Sequence, residues 1–498
     1  MLARTRSFTL DGLIAHAVSV EVDVTRGLPS FGLVGLPDTA IREARERVRS
    51  AMVNSGFEFP MRRITANLAP ADLRKTGPGM DLALAAALAA ASGDLPGARF
   101  EGWALVGELA LDGSVRPVRG ALAMAETAKG LGLRGIIVPE ANGPEAALAT
   151  GKGFEVRSVA GLNELVGAKD GEWPGSVPEP LELGDSRGGP DLADLKGQPG
   201  LRLGLEVAAA GGHGLLIIGP PGSGKTMAAR RLPSILPDLA REEALEIARI
   251  GGICGSPCWN AGRPFRAPHH TVSAAGLVGG GSPPRPGEIT LAHRGVLFLD
   301  ELCEFRRPAL EALREPLEAG EVTISRATGT QTLPAGFVLV AAANPCPCGR
   351  GSSDPLCECT AQAAGRYRNT LSGALSDRID ITVAVDQPGH AAMIGPPGED
   401  SGAVRARVSV ARKVMGERLG PGRGNADATA AETAEFPIAE EANRLLAEAD
   451  RRRGFSGRSH DRVMRLAMTL ADLAGSSGIE AGHVAGALQL RRREGVVT

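Results

Sequence analysis

The segment Gly219-Pro-Pro-Gly-Ser-Gly-Lys225-Thr226 sets glycines, a lysine and a threonine in the order that a phosphate-binding loop requires. The turn-forming residues Gly219, Pro220, Pro221, Gly222, Ser223 and Gly224 let backbone N–H groups curl around a polyphosphate, and a following helix adds the positive end of its dipole. Lys225 would reach the β- and γ-phosphates of ATP, and Thr226 would ligate Mg²⁺. A chain with 67 glycines can meet such a pattern by chance, so a glycine loop without nucleotide is the alternative. Context weighs against it. Leu215–Ile218 is a short apolar run of strand type and Met227–Leu232 reads as a helix, the strand–loop–helix order the chemistry needs.

Gly295-Val-Leu-Phe-Leu-Asp300-Glu301 carries a second signal: a buried central strand ending in two adjacent carboxylates. Asp300 suits the Mg²⁺ shell, and Glu301 suits the base that polarises an attacking water. The next apolar run, Phe337–Ala342, leads to Asn344, whose amide would sit beside the γ-phosphate. Leu375-Ser-Asp-Arg378-Ile-Asp380 sets an arginine between acids. Arg378 reads as a finger that completes a neighbour's site, or as a surface ion pair. Arg458 and Arg465 are two helical turns apart and share a face, and one of them would close a helical lid over the phosphates.

Cys346, Cys348, Cys357 and Cys359 form two C-x-C pairs joined by the polar, turn-rich stretch 349–356. Four thiolates suit tetrahedral Zn²⁺; reduced free thiols and an oxidisable pair are the alternatives. Cys254, Cys258 and Cys303 are scattered and read as packing residues. His269 and His270 are open to ligand or acid–base roles, but a channel or subunit-contact role is favoured, since no carboxylate or cysteine partner is near in sequence.

These residues need rigid elements around them. Residues 1–168 alternate strand-like runs (Val18–Val24, Ala104–Leu109, Gly135–Val138) with helical ones (Ile41–Asn54, Leu82–Ala91, Ala121–Lys129). Residues 169–190, rich in Pro, Gly and Glu, read as a linker. Residues 191–388 alternate strands, glycine loops and helices, as in an α/β nucleotide-binding core. Residues 389–498 carry helical spacing, notably Ala439–Arg453 and Arg458–Leu473, and read as a helical lid. At 43% hydrophobic and 22% charged residues, each part has enough apolar side chains for a core. A net charge of −2 excludes a uniformly basic nucleic-acid binder, so any DNA contact would use a local patch or a pore. The first residues lack the apolar core of a secretory signal, and the longest apolar stretch, Met80–Ala91, is too short to span a bilayer. A cytoplasmic protein with no membrane contact is expected.

The motifs also resemble a known family. Lys196-Gly-Gln198, the phosphate loop, Pro264-Phe-Arg-Ala-Pro-His269-His270, Gly279-Gly-Gly281, Pro286-Gly-Glu-Ile-Thr-Leu-Ala-His293, Gly295–Glu301, Leu313-Arg-Glu-Pro-Leu-Glu318 and Asn344-Pro-Cys-Pro-Cys-Gly349 follow in a fixed order. They resemble the magnesium-chelatase-like AAA+ proteins of the ComM (YifB) family, over nearly the whole chain. The resemblance implies a homo-hexameric ring, with Asn344 as first sensor, Arg378 as trans-acting finger and Arg458 as second sensor on the lid. It also implies two channel-lining insertions, one within Pro264–Pro286 and one the hairpin around Glu321–Leu333, with Arg326 near its tip. The best-known member of the family is a DNA branch-migration helicase of natural transformation. Residues 1–168 resemble the Lon-type protease fold through Gly107–Gly120, Ile136–Glu140 and Lys75-Thr-Gly-Pro-Gly79. The family's nucleophile position falls on Gly79 and its lysine position on Leu122, neither of which can do that chemistry. The expected fold class is thus α/β multidomain: a Lon-protease-like α+β domain, an AAA+ P-loop core and a C-terminal helical lid.

An ATP-driven DNA motor is the first functional reading, with Arg266, Arg326 and Arg451–Arg453 as candidates for gripping phosphates. A protein-remodelling ATPase, similar to the motor subunit of a metal-chelatase complex, is the second. An ATP-dependent protease fails on Gly79 and Leu122. A non-hydrolysing nucleotide-binding regulator is disfavoured by Glu301.

Overall fold

Aliphatic runs become strands here because both of their faces have something to cover them. The computed structural model of the chain describes residues 1–168, 174–182, 189–255, 262–281, 285–326, 329–351, 354–371, 375 and 378–491. Residues 1–183 with 244–260 form one unit, and 184–243 with 261–498 form another.

The first unit is built on a seven-stranded sheet in the order 30–34, 63–69, 14–25, 2–11, 103–105, 135–139, 155–159. Leu2–Asp11 and Ile14–Thr25 form an antiparallel hairpin whose register runs from Leu2↔Asp23 to Asp11↔Ile14. Gly12, at φ +60°, makes the tight connection between them. From Leu2–Asp11 outward the remaining strands on that side are parallel. The helix Asp81–Ser92 has no polar face, and every residue from Asp81 to Ala91 is buried. Asp81 opens that helix and takes two hydrogen bonds from the Arg47 guanidinium, at 2.7 and 3.1 Å.

From Ala244 on, the helix Arg241–Cys254 belongs to this unit, although its position in the sequence places it among the ATP-site motifs. Ala248 and Ile253 join the core that contains Leu122, Met124 and Ile136, and Arg249 pairs with Glu126 at 2.8 Å. Of the stretch expected as a linker, the described residues include Ser176, which pairs with Ser158 through both backbone bonds at 2.9 Å. Residues 169–173 and 183–188 of that stretch, and Cys258, lie outside the described residues.

The second unit holds a five-stranded, all-parallel sheet in the order 265–266, 296–299, 338–343, 215–218, 381–384. Leu215–Ile218, Val296–Leu299 and Val338–Ala343 are buried at every position. That is why they read as unbroken apolar runs and not as alternating ones. The helix after the phosphate loop is shorter than its sequence suggests: Lys225–Ala229 ends, and Leu232–Ile235 restarts. Pro233 explains the break, since it has no N–H to donate to the Ala229 carbonyl and its ring clashes with that carbonyl.

Four longer helices follow: Ser401–Leu419, Glu440–Arg453, Gly457–Ala474 and Ala481–Leu490. Asp400 caps the first by accepting from Ala403 N at 2.8 Å, Ser456 caps the third, and Gly475 at φ +69° ends it. Leu205, Ile217, Phe298 and Val340 share one hydrophobic core with Val408, Met415, Leu466 and Ala471, so the helices and the sheet are one packed body. A polar thread reinforces that packing. Fully buried His213 bonds Asp380 through Nδ1 and the Thr469 hydroxyl through Nε2, both at 2.9 Å. Among the described residues no helix is long and apolar enough to cross a membrane.

Asp472 is the ionic anchor of the helical region. Its buried carboxylate accepts from Arg418 at 2.6 and 3.1 Å and from Asn425 at 2.8 Å. Asp472→Ala strips the partly buried Arg418 guanidinium of its counter-charge, leaving it the Asn425 carbonyl alone, and leaves the Asn425 amide only the Thr469 hydroxyl to donate to. The expected cost is about 3–5 kcal/mol, read as a lower denaturant midpoint for the second unit.

Candidate nucleotide site

The C-terminal ends of the parallel strands converge on one place. Ile218 leads into the phosphate loop, Leu299 into Asp300 and Glu301, and Ala343 into Asn344. The register fixes their levels: Ile218 pairs with Ala343, and Leu299 with Ala341. Crevices beyond the carboxyl ends of such strands are where parallel α/β sheets bind ligands.

Gly222 and Gly224 adopt φ +77° and +85°, the left-handed conformations that let the loop double back. Lys225 Nζ donates to the carbonyls of Gly219 and Pro220 at 2.7 and 2.9 Å and to Asn344 Oδ1 at 3.1 Å. Burial lowers its pKa, and the charges of Asp300 and Glu301 oppose that shift. The Thr226 hydroxyl donates to Asp300 Oδ2 at 2.7 Å, so the two oxygens expected around Mg²⁺ are adjacent. Ser223 Oγ is buried without a protein partner, an orphaned polar atom in the loop's own cradle. These groups fit a magnesium-bound polyphosphate. Lys225 and the loop would hold the phosphates, and Thr226 and Asp300 the ion, which when bound supplies charge neutralisation.

Glu301 sits at φ +53°, one of three non-glycine residues with positive φ among the described residues. A carboxylate on left-handed backbone is strained, and such strain gathers where a side chain must be aimed. Its Oε2 lies 3.3 Å from His270 Nδ1, and the His270 ring lies against His269, tilted by 35° with 4.1 Å between centroids. The expectation of a channel or subunit-contact role for His270 overlooked this carboxylate, which is distant in sequence and brought near by the pairing of the 265–266 and 296–299 strands. Sequence reasoning also passed over two struts of the loop. Gln198 Nε2 donates to Ser223 O at 2.8 Å and Asp386 O at 3.2 Å, and Gln387 Nε2 donates to Pro221 O at 2.8 Å. The Lys196-Gly-Gln198 motif was the available signal for the first.

Comparison with known proteins bears on the same residues. The profile "Magnesium chelatase, subunit ChlI" matches residues 191–394, "Subunit ChlI of Mg-chelatase" matches 20–142, and "Magnesium chelatase, subunit ChlI C-terminal" matches 398–491. An uncharacterized protein of Mycobacterium tuberculosis is 44% identical over 99% of both chains. YifB of Escherichia coli is 42% identical over 96% of this chain and 95% of its own. Competence protein ComM of Haemophilus influenzae is 39% identical over the same shares. The chain belongs to the magnesium-chelatase-like ComM/YifB family. Its parallel sheet and helical C-terminal region are consistent with the AAA+-like fold of magnesium chelatase.

In this ComM/YifB-family chain Arg458 and Arg465, one of which was expected to close over the phosphates, lie away from the phosphate loop, beside Arg378, which was expected to serve a neighbour's site. Arg378, Arg458 and Arg465 line a cavity of about 940 Å³ together with Gly214, Gly295, Val338 and Asp380, which stand at the starts of the parallel strands. The phosphate loop lies past the other ends of those strands. Four residues at about 3.3 Å each put roughly 13 Å of sheet between the two. Neither Arg458 nor Arg465 therefore closes over the phosphates of its own loop. Arg378 pairs with Glu318. Beside it, burial raises the pKa of Asp380, but the His213 hydrogen bond and the charges of His213 and Arg462 outweigh burial and hold it low. Arg412 and Arg263 also line the cavity, which is rich in cations.

Of the phosphate-gripping candidates, Arg266 is bound to Glu288 by two bonds at 2.7 and 2.9 Å. Arg326 ends the first strand of the antiparallel hairpin 321–334, and Arg451 and Arg452 are exposed. The Sγ atoms of Cys346, Cys348, Cys357 and Cys359 all lie within 4.8 Å of one another. Cys303 lies apart, its thiol pushed up to about 11 by burial, which makes it a poor nucleophile.

Glu301→Gln should retain ATP binding and lose about 10²–10⁴-fold in turnover. His270→Ala should lower turnover about tenfold without raising KM, and should add little to Glu301→Gln in the double variant. Steady-state kinetics of the three variants decides, and fully additive losses would show that His270 does not act through Glu301.

Proposed function

We propose that this chain hydrolyses ATP as a ring-forming AAA+ motor, and that the motor acts on DNA. The observation that carries the ATPase reading is the convergence of Lys225, Thr226, Asp300, Glu301 and Asn344 at the ends of adjacent parallel strands. ATP and Mg²⁺ are the expected ligands. Lys225 and the loop hold the triphosphate, Asn344 and Glu301 orient water at the γ-phosphate, and His270 orients Glu301.

The ring reading is supported by the cation-lined cavity at the far end of the sheet. In a head-to-tail ring, each chain's Arg378 and Arg458 meet the phosphates on the next chain's loop, and a closed ring of six is the expected assembly. Phosphate would then replace Glu318 as the partner of Arg378. DNA is supported by the similarity to a competence protein. In the proposed ring the antiparallel hairpin 321–334 would touch a strand in the channel.

The first unit we read as a Lon-protease-like docking module without peptidase activity. Leu122 is fully buried in its core, and Gly79 offers no side chain beyond a backbone carbonyl that accepts from Gly107 N. A protein-remodelling motor is the competing role; Arg266, a candidate for gripping phosphates, is already paired with Glu288.

ATPase activity with single-stranded, duplex and four-way-junction DNA tests the reading. The expected result is stimulation of about tenfold or more, strongest with junctions, and poisoning of mixed rings by Arg378→Ala beyond its mole fraction. Activity indifferent to every DNA would transfer the motor to a protein substrate.

A further inference from the structure

The four cysteines lie beside the phosphate loop, and their geometry is that of a metal cage. Cys346 and Cys348 Sγ are 3.3 Å apart, Cys346 and Cys357 3.8 Å, and Cys348 and Cys357 3.6 Å. Tetrahedral Zn²⁺ with about 2.3 Å bonds to sulfur requires edges of about 3.8 Å between sulfurs. A disulfide needs about 2.05 Å, which none of these pairs approaches. The Gly351 N–H points at Cys346 Sγ from 3.2 Å, the kind of outer-shell bond that steadies a metal-bound thiolate.

Little else holds this loop. Its described hydrogen bonds are mostly local turns, Gly349 N to Cys346 O, Asp354 N to Gly351 O and Cys357 N to Asp354 O. Leu356, its one large aliphatic side chain, is 64% exposed. A polar loop without an apolar anchor closes only if something supplies the closure energy, and metal ligation does so.

The loop also touches the nucleotide site at two points. Asn344, which takes the Lys225 hydrogen bond, precedes Cys346 by two residues. Gly349, at φ +84°, lies with its backbone so close to Pro221 that a Cβ there would come within 2.8 Å of Pro221 Cδ. Gln387 fixes the Pro221 carbonyl. The phosphate loop is thus braced by Gln387 and by the cysteine loop.

We propose that Cys346, Cys348, Cys357 and Cys359 bind Zn²⁺ and that the ion is the brace of the phosphate loop, pressing Gly349 onto Pro221 and fixing Asn344 against Lys225. Metal loading then sets nucleotide affinity. The inference rests on the reading of Gly219–Thr226 as the ATP site.

The test uses full-length protein purified under reduction. Zinc content is measured by elemental analysis, and binding of a fluorescent ATP analogue with Mg²⁺ is titrated before chelation, after it, and after Zn²⁺ is returned. About one zinc per chain is expected, with at least tenfold weaker nucleotide binding on its removal and recovery on its return, at unchanged circular dichroism. Gly349→Ala should keep its zinc yet bind the analogue more weakly. Absence of zinc from freshly reduced protein would overturn the metal site. Zinc present but nucleotide affinity indifferent to its removal would overturn the brace. Failure of zinc-loaded wild type to bind the analogue at all would instead remove the ATP-site reading.

Discussion

The ammonium of Lys225 is the constraint around which the second unit is organised. It is drawn out of water onto two loop carbonyls and the Asn344 amide, where burial disfavours its charge and an incoming phosphate would restore it. That arrangement exists only if the strands before Gly219 and Asn344 run side by side in the same direction and in register. The parallel ladder from Leu215↔Val340 to Ile218↔Ala343 provides this, and the same sheet places Asp300 one strand farther along. Continuous burial of the three strands keeps the ladder rigid, so a few side chains at their ends inherit a fixed geometry.

A parallel sheet has two unlike ends, and this chain divides its chemistry between them. Glycines, the lysine, the acids and the amide stand at the carboxyl ends. Arg378, Arg458 and Arg465 stand at the amino ends around a cation-rich cavity. Separated by the length of the strands, the two sets cannot serve one phosphate group within a single chain. The His213–Asp380–Thr469 thread, buried between a strand start and the Gly457–Ala474 helix, holds the second set in place. In the proposed ring, the same distance that splits the site within a chain would join it across chains.

What could be read in the sequence follows the range of the interactions involved. The strands Leu215–Ile218, Val296–Leu299 and Val338–Ala343 announce themselves because burial on both faces demands unbroken apolar runs. Thr226 beside Asp300 was legible because the two motifs occur in the right order on such strands. The position of Arg458 was not, because helical spacing tells which residues share a face and not which end of a sheet that face covers. The same holds for the helix from Ala244 to Cys254, whose apolar side does not name its partner core. His270 against Glu301 was hidden because their meeting depends on strand pairing between residues distant in sequence.

The central claim is that one chain carries two halves of a site that only a neighbour can complete. Specific ATPase activity measured against protein concentration, with light scattering to report assembly, tests it most directly. The account predicts that activity per chain falls toward zero on dilution, in step with loss of the oligomer. Activity per chain that stays constant down to the monomer would contradict it.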